Sequence, residues 1–390
     1  MAPADLPRDL LPREGKRIPH DPASVRRILV CQLNQLGDVL LATPSLEILA
    51  RAYPRAEIHL FTEKKCLPLL EGNPHVHTVW ALDKAALPTL LHELAFYRRI
   101  GACRFDLLVN FQHLPRCRWV TAFSGAKIRL APETSWYNRW LYTCLVRQKP
   151  AYAAAFKAQI LAPLGIAWQG ERPGIYLAEQ ERAEARRLLA GFGLRGVFAD
   201  KPDLRLITVD ATHRHPTRQW PGEYYAALLD AAADLLPDLR FLLPWGPGEE
   251  AHVLSIQAAC ARPERVIIPG TLLSLRHMAA CMEHAVLHLG NCSAPRHMAV
   301  ALGVPSLTIL GATSTAWTFP SPEHTQTRAR DFLNMPCQHC NRNSCPHALR
   351  CLTRLTPDLV LPVLLKHLET HCRRNDFSPE DLSRSRMPPP

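Results

Sequence analysis

Along this chain, short apolar runs rich in β-branched residues alternate with longer stretches in which apolar residues return every three or four positions. "RILVCQL" from Arg27, "EIHLFTE" from Glu57 and "FDLLVNF" from Phe105 have the length and composition of buried strands, and "DVLLATPSLEILARAYP" from Asp38 that of a helix. A further helical stretch covers residues 153 to about 164. Then comes a boundary region, "ERPGIYLAEQERAEARRLLAGFGLRGVFADKP". Beyond it the alternation restarts with strand "LRLITVD", helix "PGEYYAALLDAAADLL", strand "LRFLLPW", helix "EEAHVLSIQAACA", strand "ERVIIPG", helix "SLRHMAACMEHA", strand "AVLHLG", helix "RHMAVALG" and strand "SLTILG". Continuous apolar strands separated by helices predict parallel sheets covered on both faces. Two such sets predict an α/β protein of two doubly wound domains, over residues 25–180 and 181–372. Residues 1–24 read as a flexible leader and 373–390 as a flexible tail. Ligands of such sheets bind outside the carboxyl ends of the strands, so the loops that follow strands are where chemistry is sought.

Composition narrows the class. With 390 residues, 47% hydrophobic and 21% charged, the chain is long enough for two ordinary cores. No run reaches the roughly 18 uncharged apolar residues of a membrane span, and the N-terminus lacks the apolar core of a signal peptide, so a cytoplasmic protein is expected. Lysine and arginine (46) exceed aspartate and glutamate (35), a net charge of +11 that favours an anionic partner. The cations are spread along the chain without a basic block. That argues against nucleic acid and leaves an anionic membrane surface or a phosphorylated ligand. Of thirteen cysteines, most stand singly in apolar surroundings, as Cys31, Cys144 and Cys281 do, and read as small buried hydrophobes. Nothing resembles a secreted disulfide framework.

Four places carry candidate chemistry. In "LNQLGDVLLATPSL", Gly37 allows a close turn and Asp38 falls at a helix start, where a carboxylate serves either as an N-cap or as a general base. In "NCSAPRHMAVALG", the turn Ser293-Ala294-Pro295-Arg296-His297 opens a helix whose first amides suit a diphosphate. Ser293 adds a hydroxyl, Ala294 keeps the approach open, Pro295 fits the first turn, and Arg296 or His297 adds charge. The alternative is a serine-capped helix with nothing bound. In "VDATHRHPTRQWPGEYY", Thr212, His213, Arg214 and Arg218 set hydroxyl and cationic donors at a strand's carboxyl end, as an anion site or as a solvated basic loop. After "LLPWGPGEE", Glu249 or Glu250 is placed either to accept from ribose hydroxyls or simply to favour a helix start. Finally, "CQHCNRNSCPHALRC" spaces Cys337, Cys340, Cys345 and Cys351 within one loop, 337–351. That spacing allows a structural zinc, reduced thiols or a labile disulfide, none of them catalytic.

Taken in order, "ILVCQLNQLGDVLLATPSLEILARAYP", "FDLLVNFQHLPRCRWVTAFSGAKIRL", "THRHPTRQWPGEYYAAL", "PWGPGEE" and "NCSAPRHMAVALGVPSLTILGAT" resemble glycosyltransferase family 9, the heptosyltransferases of lipopolysaccharide core assembly, from about Arg27 to Leu368. The resemblance implies a GT-B fold, two Rossmann-like domains facing across a cleft, with a nucleotide-sugar, typically ADP-heptose, on the C-terminal half and a lipid-linked acceptor on the N-terminal half. Asp38 matches the aspartate proposed as the family's base, which takes the acceptor's proton during inverting attack at the anomeric carbon. Arg218, where the family usually has lysine, would stabilise the leaving diphosphate with the amides of Ala294 to His297. With these, Gly37, Thr212, His213, Glu249, Ser293, Ala294, Arg296 and His297 make up the expected substrate-binding set. The resemblance implies no metal for this step, and a cytoplasmic enzyme peripheral to the inner membrane.

The chain departs from the family's Asp-Ser-Gly-Pro-x-His motif at Cys292, Ala294 and Arg296. The lost carboxylate at 292 motivates a second reading, a transferase for another nucleotide-sugar; a third is a non-catalytic nucleotide- or polyanion-binding protein on the same fold, its cysteine-rich loop holding zinc and its basic surface the polyanion. For the acceptor, Lys64, Lys65, Arg116, Arg118, Lys127 and Arg129 fall near strand ends of the first domain, as ligands for phosphate or carboxylate or as solvated surface. "SWYNRWLYTCLVRQKP", with Trp136 and Trp140, reads either as a surface that rests on a membrane or as a packed helix with an aromatic core face.

Overall fold

The computed structural model describes residues 18–199 and 202–371. The tail expected over 373–390, and the leader as far as residue 17, lie outside the described residues. The described end of the leader is tied down: the Ile18 amide donates to Pro163 O (2.8 Å), and the His20 ring pairs with the Tyr53 hydroxyl (2.7 Å). The chain forms two compact units, divided between Tyr176 and Leu177.

The first unit holds six parallel strands, β1 Arg27–Cys31, β2 Glu57–Glu63, β3 Thr78–Leu82, β4 Leu107–Asn110, β5 Ile128–Pro132 and β6 Cys144–Val146, in the spatial order β3-β2-β1-β4-β5-β6. Its helices are α1 Leu36–Leu40, α2 Thr43–Ala52, α3 Leu90–Gly101, α4 Pro115–Phe123 and α5 Ala153–Ala158. Side chains alternate across a strand, so neighbouring apolar residues of β1 serve opposite faces. Ile28 and Val30 pack with Leu46 and Leu49 of α2, whereas Leu29 and Cys31 pack with Tyr97 and Ile100 of α3 and Val120 of α4. Both faces are covered, which is why β1 and β4 read as near-continuous apolar runs and β2 buries even His59 and Thr62. The outer strands β3, β5 and β6 are only half-buried and carry weaker patterns in the sequence.

The second unit repeats the plan with β7 Arg205–Asp210, β8 Leu239–Leu242, β9 Val266–Ile267, β10 Ala285–Asn291, β11 Ser306–Leu310 and β12 His324–Arg328, ordered β12-β11-β10-β7-β8-β9 and all parallel. Its helices are α6 Glu179–Gly191, α7 Gly222–Leu235, α8 Glu250–Ala259, α9 Leu275–Met282, α10 Ala294–Leu302, α11 Arg350–Thr353 and α12 Pro357–His371. Trp220, Tyr225 and Leu229 beside α7, Val253 and Ile256 of α8, and Val360 and Leu364 of α12 share one core with Ile207, Val209, Leu287 and Leu289 of the sheet. The thiols of Cys31, Cys144 and Cys281 are buried, and burial pushes their pKa values up, as expected of cysteines used as small apolar residues.

In each sheet the first strand lies inside, so the chain order reverses beside it: β1 has β2 on one side and β4 on the other, β7 has β8 and β10. Helices leave in opposite directions at such a point and the carboxyl ends of the strands open a crevice. Asp38 follows β1 and the loop 211–221 follows β7, so topology puts both at these reversals. At the second one, Gly290 of β10 pairs with Asp210 of β7 so closely that an added Cβ would lie 2.7 Å from the Asp210 carbonyl oxygen and 2.8 Å from its Cβ. We expect Gly290→Ala to push β10 off β7 and to destabilise the second unit by about 1–3 kcal/mol, measured as a lower urea midpoint at unchanged m-value. A wild-type midpoint would show that the two strands yield without cost.

Candidate functional site

At the first reversal, the loop from Gln32 to Gln35 leads into α1, with Asn34 in the left-handed region at φ 77°. Gln35 is the N-cap, and Asp38 is the third residue of α1 rather than the cap that was one expected role. Gly37 precedes it as the second helical residue. Asp38 Oδ1 lies 3.3 Å from the Lys157 ammonium of α5, with the carboxylate side chain 24% exposed and the lysine side chain 11%. Lys157 also donates to Gln32 Oε1 at 2.9 Å and sits 6.0 Å from the centre of the Phe111 ring. Burial pushes the lysine's pKa down, and the Asp38 charge and hydrogen bond oppose that push.

Further along the same sheet edge, beyond β4 and β5, a polar cavity of about 480 Å³ is lined by His113, Arg118, Glu133, Thr134, Ser135 and Asn138. Arg118 donates to Asn138 Oδ1 (3.0 Å). The Nδ1 of His113 is buried and finds no partner. The other expected acceptor-side cations are mostly paired within the unit: Lys64 with Asp83, Lys65 with Glu63, Arg116 with Glu93, and Arg129 with the carbonyls of Leu141 and Ala126. Lys127 is exposed. Trp136 and Trp140 belong to one 3₁₀ turn and are 78% and 74% exposed, so this segment is not the packed helix with an aromatic core face that was one expectation.

At the second reversal, α10 begins at Ala294 after Ser293, its N-cap. Ser293 does not cap with its side chain. Its hydroxyl donates to Asp210 Oδ2 instead, so it leaves the free amides of the first turn uncapped. Asp210, at the end of β7, is buried, and burial pushes its carboxyl up to about 7, with the Ser293 hydrogen bond opposing and the Glu249 charge adding to the rise. The Thr212 hydroxyl donates to Glu249 Oε2 at 2.7 Å and lies 3.4 Å from Asp210 Oδ1, and the Gly246 amide also donates to Glu249 Oε2 (2.8 Å). Thus Thr212 and Glu249 are engaged with each other, and Glu250 is the exposed first residue of α8. Buried Asn291 accepts from the Trp220 amide (3.0 Å) and the Tyr225 hydroxyl (3.1 Å) and donates to Thr212 O (3.3 Å).

The expected charges at this mouth need correction. Arg296 is 2% exposed and turned inward, donating to Cys292 Sγ (3.1 Å) and Thr318 Oγ1 (2.6 Å). His297 is buried, and burial with the nearby Arg296 charge holds its pKa well below the ordinary range. His213 is pushed down to about 4 by burial and the Arg218 charge. Neither ring carries charge at neutral pH, because a cation there would lose its hydration beside another cation. Arg218 stays at the edge of the site, donating to Asn343 Oδ1 (3.2 Å), while Arg214 is exposed. Among the described residues, Arg218 Nε and His297 Nδ1 are buried with no hydrogen-bond partner.

The loop 337–351 gathers its four cysteines. The Cys351 thiol is pushed up to about 11 by burial first and then by Cys345, Cys337 and Cys340, so the four are neighbours. Yet among the described residues no group of three or more His, Cys, Asp or Glu side chains is arranged to hold a metal ion, and these four thiols are free. Of the three states that the spacing allowed, the structure shows free thiols and no disulfide.

Sequence reasoning missed Asp210, Asn291, Gln32 and Lys157. Two had a signal: Asp210 ends an apolar strand with a carboxylate, and Lys157 is the single charge in "AYAAAFKAQIL".

Two parallel α/β units of this kind define the GT-B class of glycosyltransferase fold. The family model of glycosyltransferase family 9 (heptosyltransferase) matches residues 93–348, and the chain belongs to that family; it is a glycosyltransferase. It is 24% identical over 310 residues to a lipopolysaccharide heptosyltransferase 3 of Escherichia coli, covering 77% of this chain and 88% of that one. A family 9 glycosyltransferase of Veillonella parvula superposes with a TM-score of 0.75 at 21% identity, over 90% of this chain and 99% of the other. E. coli heptosyltransferase WaaC with ADP-2-deoxy-2-fluoro heptose superposes with a TM-score of 0.64 at 18% identity, over 87% and 99%.

The buried Asp210 gives a pH signature. Its carboxyl titrates near 7 when folded, against 3.8 for the unperturbed group, so the folded state holds this proton more tightly. Its favourable contribution is full below about pH 4 and is lost as pH rises through about 7. His213, His288 and His367, with folded values of about 4, 3 and 4, act in the opposite sense as pH falls below 6.5, and are common to wild type and variant. We expect Asp210→Asn to melt higher than wild type at pH 8, by about 3 °C or more, with the gap closing towards pH 5. A gap independent of pH would mean that Asp210 does not titrate in this range.

Proposed function

We propose that this enzyme transfers a sugar from a nucleotide donor to a hydroxyl of a lipopolysaccharide core acceptor with inversion, and that the donor is ADP-heptose. The second unit holds the nucleotide-sugar and the first unit the acceptor. The observation that carries this reading is the mouth of α10. Its first-turn amides are left open because Ser293 is turned onto Asp210, and Arg218 Nε is buried without a partner. Buried donors without partners are costly, by about 1–3 kcal/mol each, unless a ligand takes them up, and a diphosphate is the ligand that a helix N-terminus with a guanidinium suits. The heptosyltransferase relatives support heptose as the sugar, and the ADP-2-deoxy-2-fluoro heptose that accompanies WaaC in its structure supports ADP as the nucleotide.

In the proposed reaction, Asp38 takes the proton of the acceptor hydroxyl while that oxygen forms a bond to the anomeric carbon. The bond between that carbon and the diphosphate oxygen breaks on the opposite face, and the electron pair leaves with the nucleotide. The amides of Ala294 and Arg296 and the Arg218 guanidinium meet the charge that develops. The polar cavity beside Arg118 and His113 receives a phosphorylated or carboxylated part of the acceptor. The acceptor is lipid-linked and the enzyme cytoplasmic, resting on an anionic membrane; the net charge of +11 and the exposed Trp136 and Trp140 support that reading. No helix among the described residues is long and apolar enough to cross a membrane. A second reading, a different donor sugar, is favoured by Cys292, whose sulfur is spent on Arg296 where the family places a carboxylate.

Asp38→Asn is expected to lower kcat by about 100-fold or more while ADP affinity, measured by calorimetry, stays within about twofold. Retained turnover would remove Asp38 from the chemistry. Arg218→Ala should weaken ADP binding about tenfold, the loss of one charge-assisted hydrogen bond. Assayed against a panel of donors, wild-type enzyme should turn over ADP-heptose; turnover of another nucleotide-sugar and none of ADP-heptose would replace the first reading by the second. Binding of nucleotide-sugars without transfer would point to a non-catalytic protein.

A further inference from the structure

We infer that Lys157 is the positioning residue of the Asp38 carboxylate, held by Gln32 so that Asp38 Oδ2 is the oxygen left for a substrate proton. The inference rests on the proposed role of Asp38. Lys157 is out of place by ordinary criteria. It stands in a short helix with buried Ala154 and Ala158, and its own side chain is almost wholly withdrawn from water. An ammonium so placed costs several kcal/mol unless it is paired and hydrogen-bonded. Replacing a whole buried pair with apolar groups is often neutral, whereas removing one partner leaves the other charge unmet.

Its surroundings are specific. Gln32 is fully buried, and its amide nitrogen donates to Leu33 O at 2.8 Å, which leaves its Oε1 facing the lysine at 2.9 Å. The Gln32 backbone is fixed as well, its amide donating to Phe61 O (3.0 Å). The ring of Phe111, one residue past β4, lies beneath the ammonium. With Gln32 and Phe111 fixing two sides, a third direction of the ammonium meets Asp38 Oδ1 at 3.3 Å. Three elements that meet at the β1 and β4 strand ends thus aim one cation at one carboxylate oxygen. An aspartate in the first turn of a helix has two rotatable side-chain bonds, and among the described residues this one has no other hydrogen-bond anchor. With Oδ1 on the ammonium its rotation is restricted, and the proton from an acceptor hydroxyl arrives at Oδ2 while Lys157 keeps its own protons. A displacement of about 1 Å in a reacting group costs on the order of 100-fold in rate, so a residue that prevents it matters without touching substrate.

The test is Lys157→Met, with Lys157→Arg as the conservative variant and Lys157→Gln as a donor without charge, each checked for folding by circular dichroism and thermal melting. We expect Lys157→Met to lower kcat by about 10- to 100-fold with KM for donor and acceptor each within about threefold, and Lys157→Arg to recover most of the loss. A crystal structure of Lys157→Met should show the Asp38 carboxylate rotated away. Should Lys157→Met not fold, the comparison of Lys157→Arg with Lys157→Gln replaces it, and equal kcat in the two would overturn the inference. Unchanged kcat, or a raised acceptor KM at unchanged kcat, overturns it too, the latter making Lys157 a substrate ligand. If Asp38→Asn keeps its activity, the base reading fails by itself. The Lys157→Met crystal structure still decides the positioning, and an unmoved carboxylate refutes it.

Discussion

A single buried amide, Asn291, holds the second unit's site in shape. Its oxygen accepts from the Trp220 amide and the Tyr225 hydroxyl, and its nitrogen donates to Thr212 O. These bonds tie the loop after β7, the start of α7 and the end of β10 to one point. Each group is buried, so each bond resists loss by the desolvation cost of leaving a partner unmet, about 1–3 kcal/mol. The close approach of Gly290 to Asp210 permits that arrangement, since no side chain stands between the two strands. The turn from Asn291 to Ser293 can then lay its hydroxyl on Asp210 and leave the α10 amides open.

The two reversals in strand order treat charge in opposite ways. In the first unit a carboxylate and an ammonium share one partly buried pocket, and each offsets the other's desolvation. In the second, burial removes charge: Asp210 titrates near neutrality, and His213 and His297 stay uncharged. What remains there is a helix dipole, open amides and the Arg218 guanidinium, a field that favours an incoming anion. The first pocket suits proton transfer and the second suits charge stabilisation, the two tasks that sugar transfer from a nucleotide requires.

The inward turn of Arg296 bears on the departure at position 292. An arginine at the third helical position would ordinarily point towards solvent or a ligand. Here its guanidinium meets Cys292 Sγ and Thr318, and Thr318 in turn donates to Gln326 of β12. The cysteine and the arginine thus form one internal contact, so the two departures from the family motif are a single structural change. Position 292 is occupied by that contact and is not a free sugar ligand, which is the physical ground for treating donor identity as a matter for experiment.

Much of this was legible in the chain. Unbroken apolar runs disclosed the inner strands because parallel strands covered on both faces have no polar side to show, and "LGD" and "NCSAPRH" marked helix starts after strands because glycine, proline and small polar residues are required there. The strands β3, β5, β6 and β12 were not legible, since half-buried strands need no continuous apolar pattern. By itself the sequence determined the fold class, the family, and the positions of Asp38 and the α10 turn, all of which depend on local pattern and order along the chain. Only the tertiary structure decided that Lys157 reaches Asp38 across 119 positions, that Ser293 serves Asp210, and that Arg296 and His297 are turned inward. Hydrogen bonding and desolvation depend on which distant groups come within about 3 Å, and no periodicity in the chain records that.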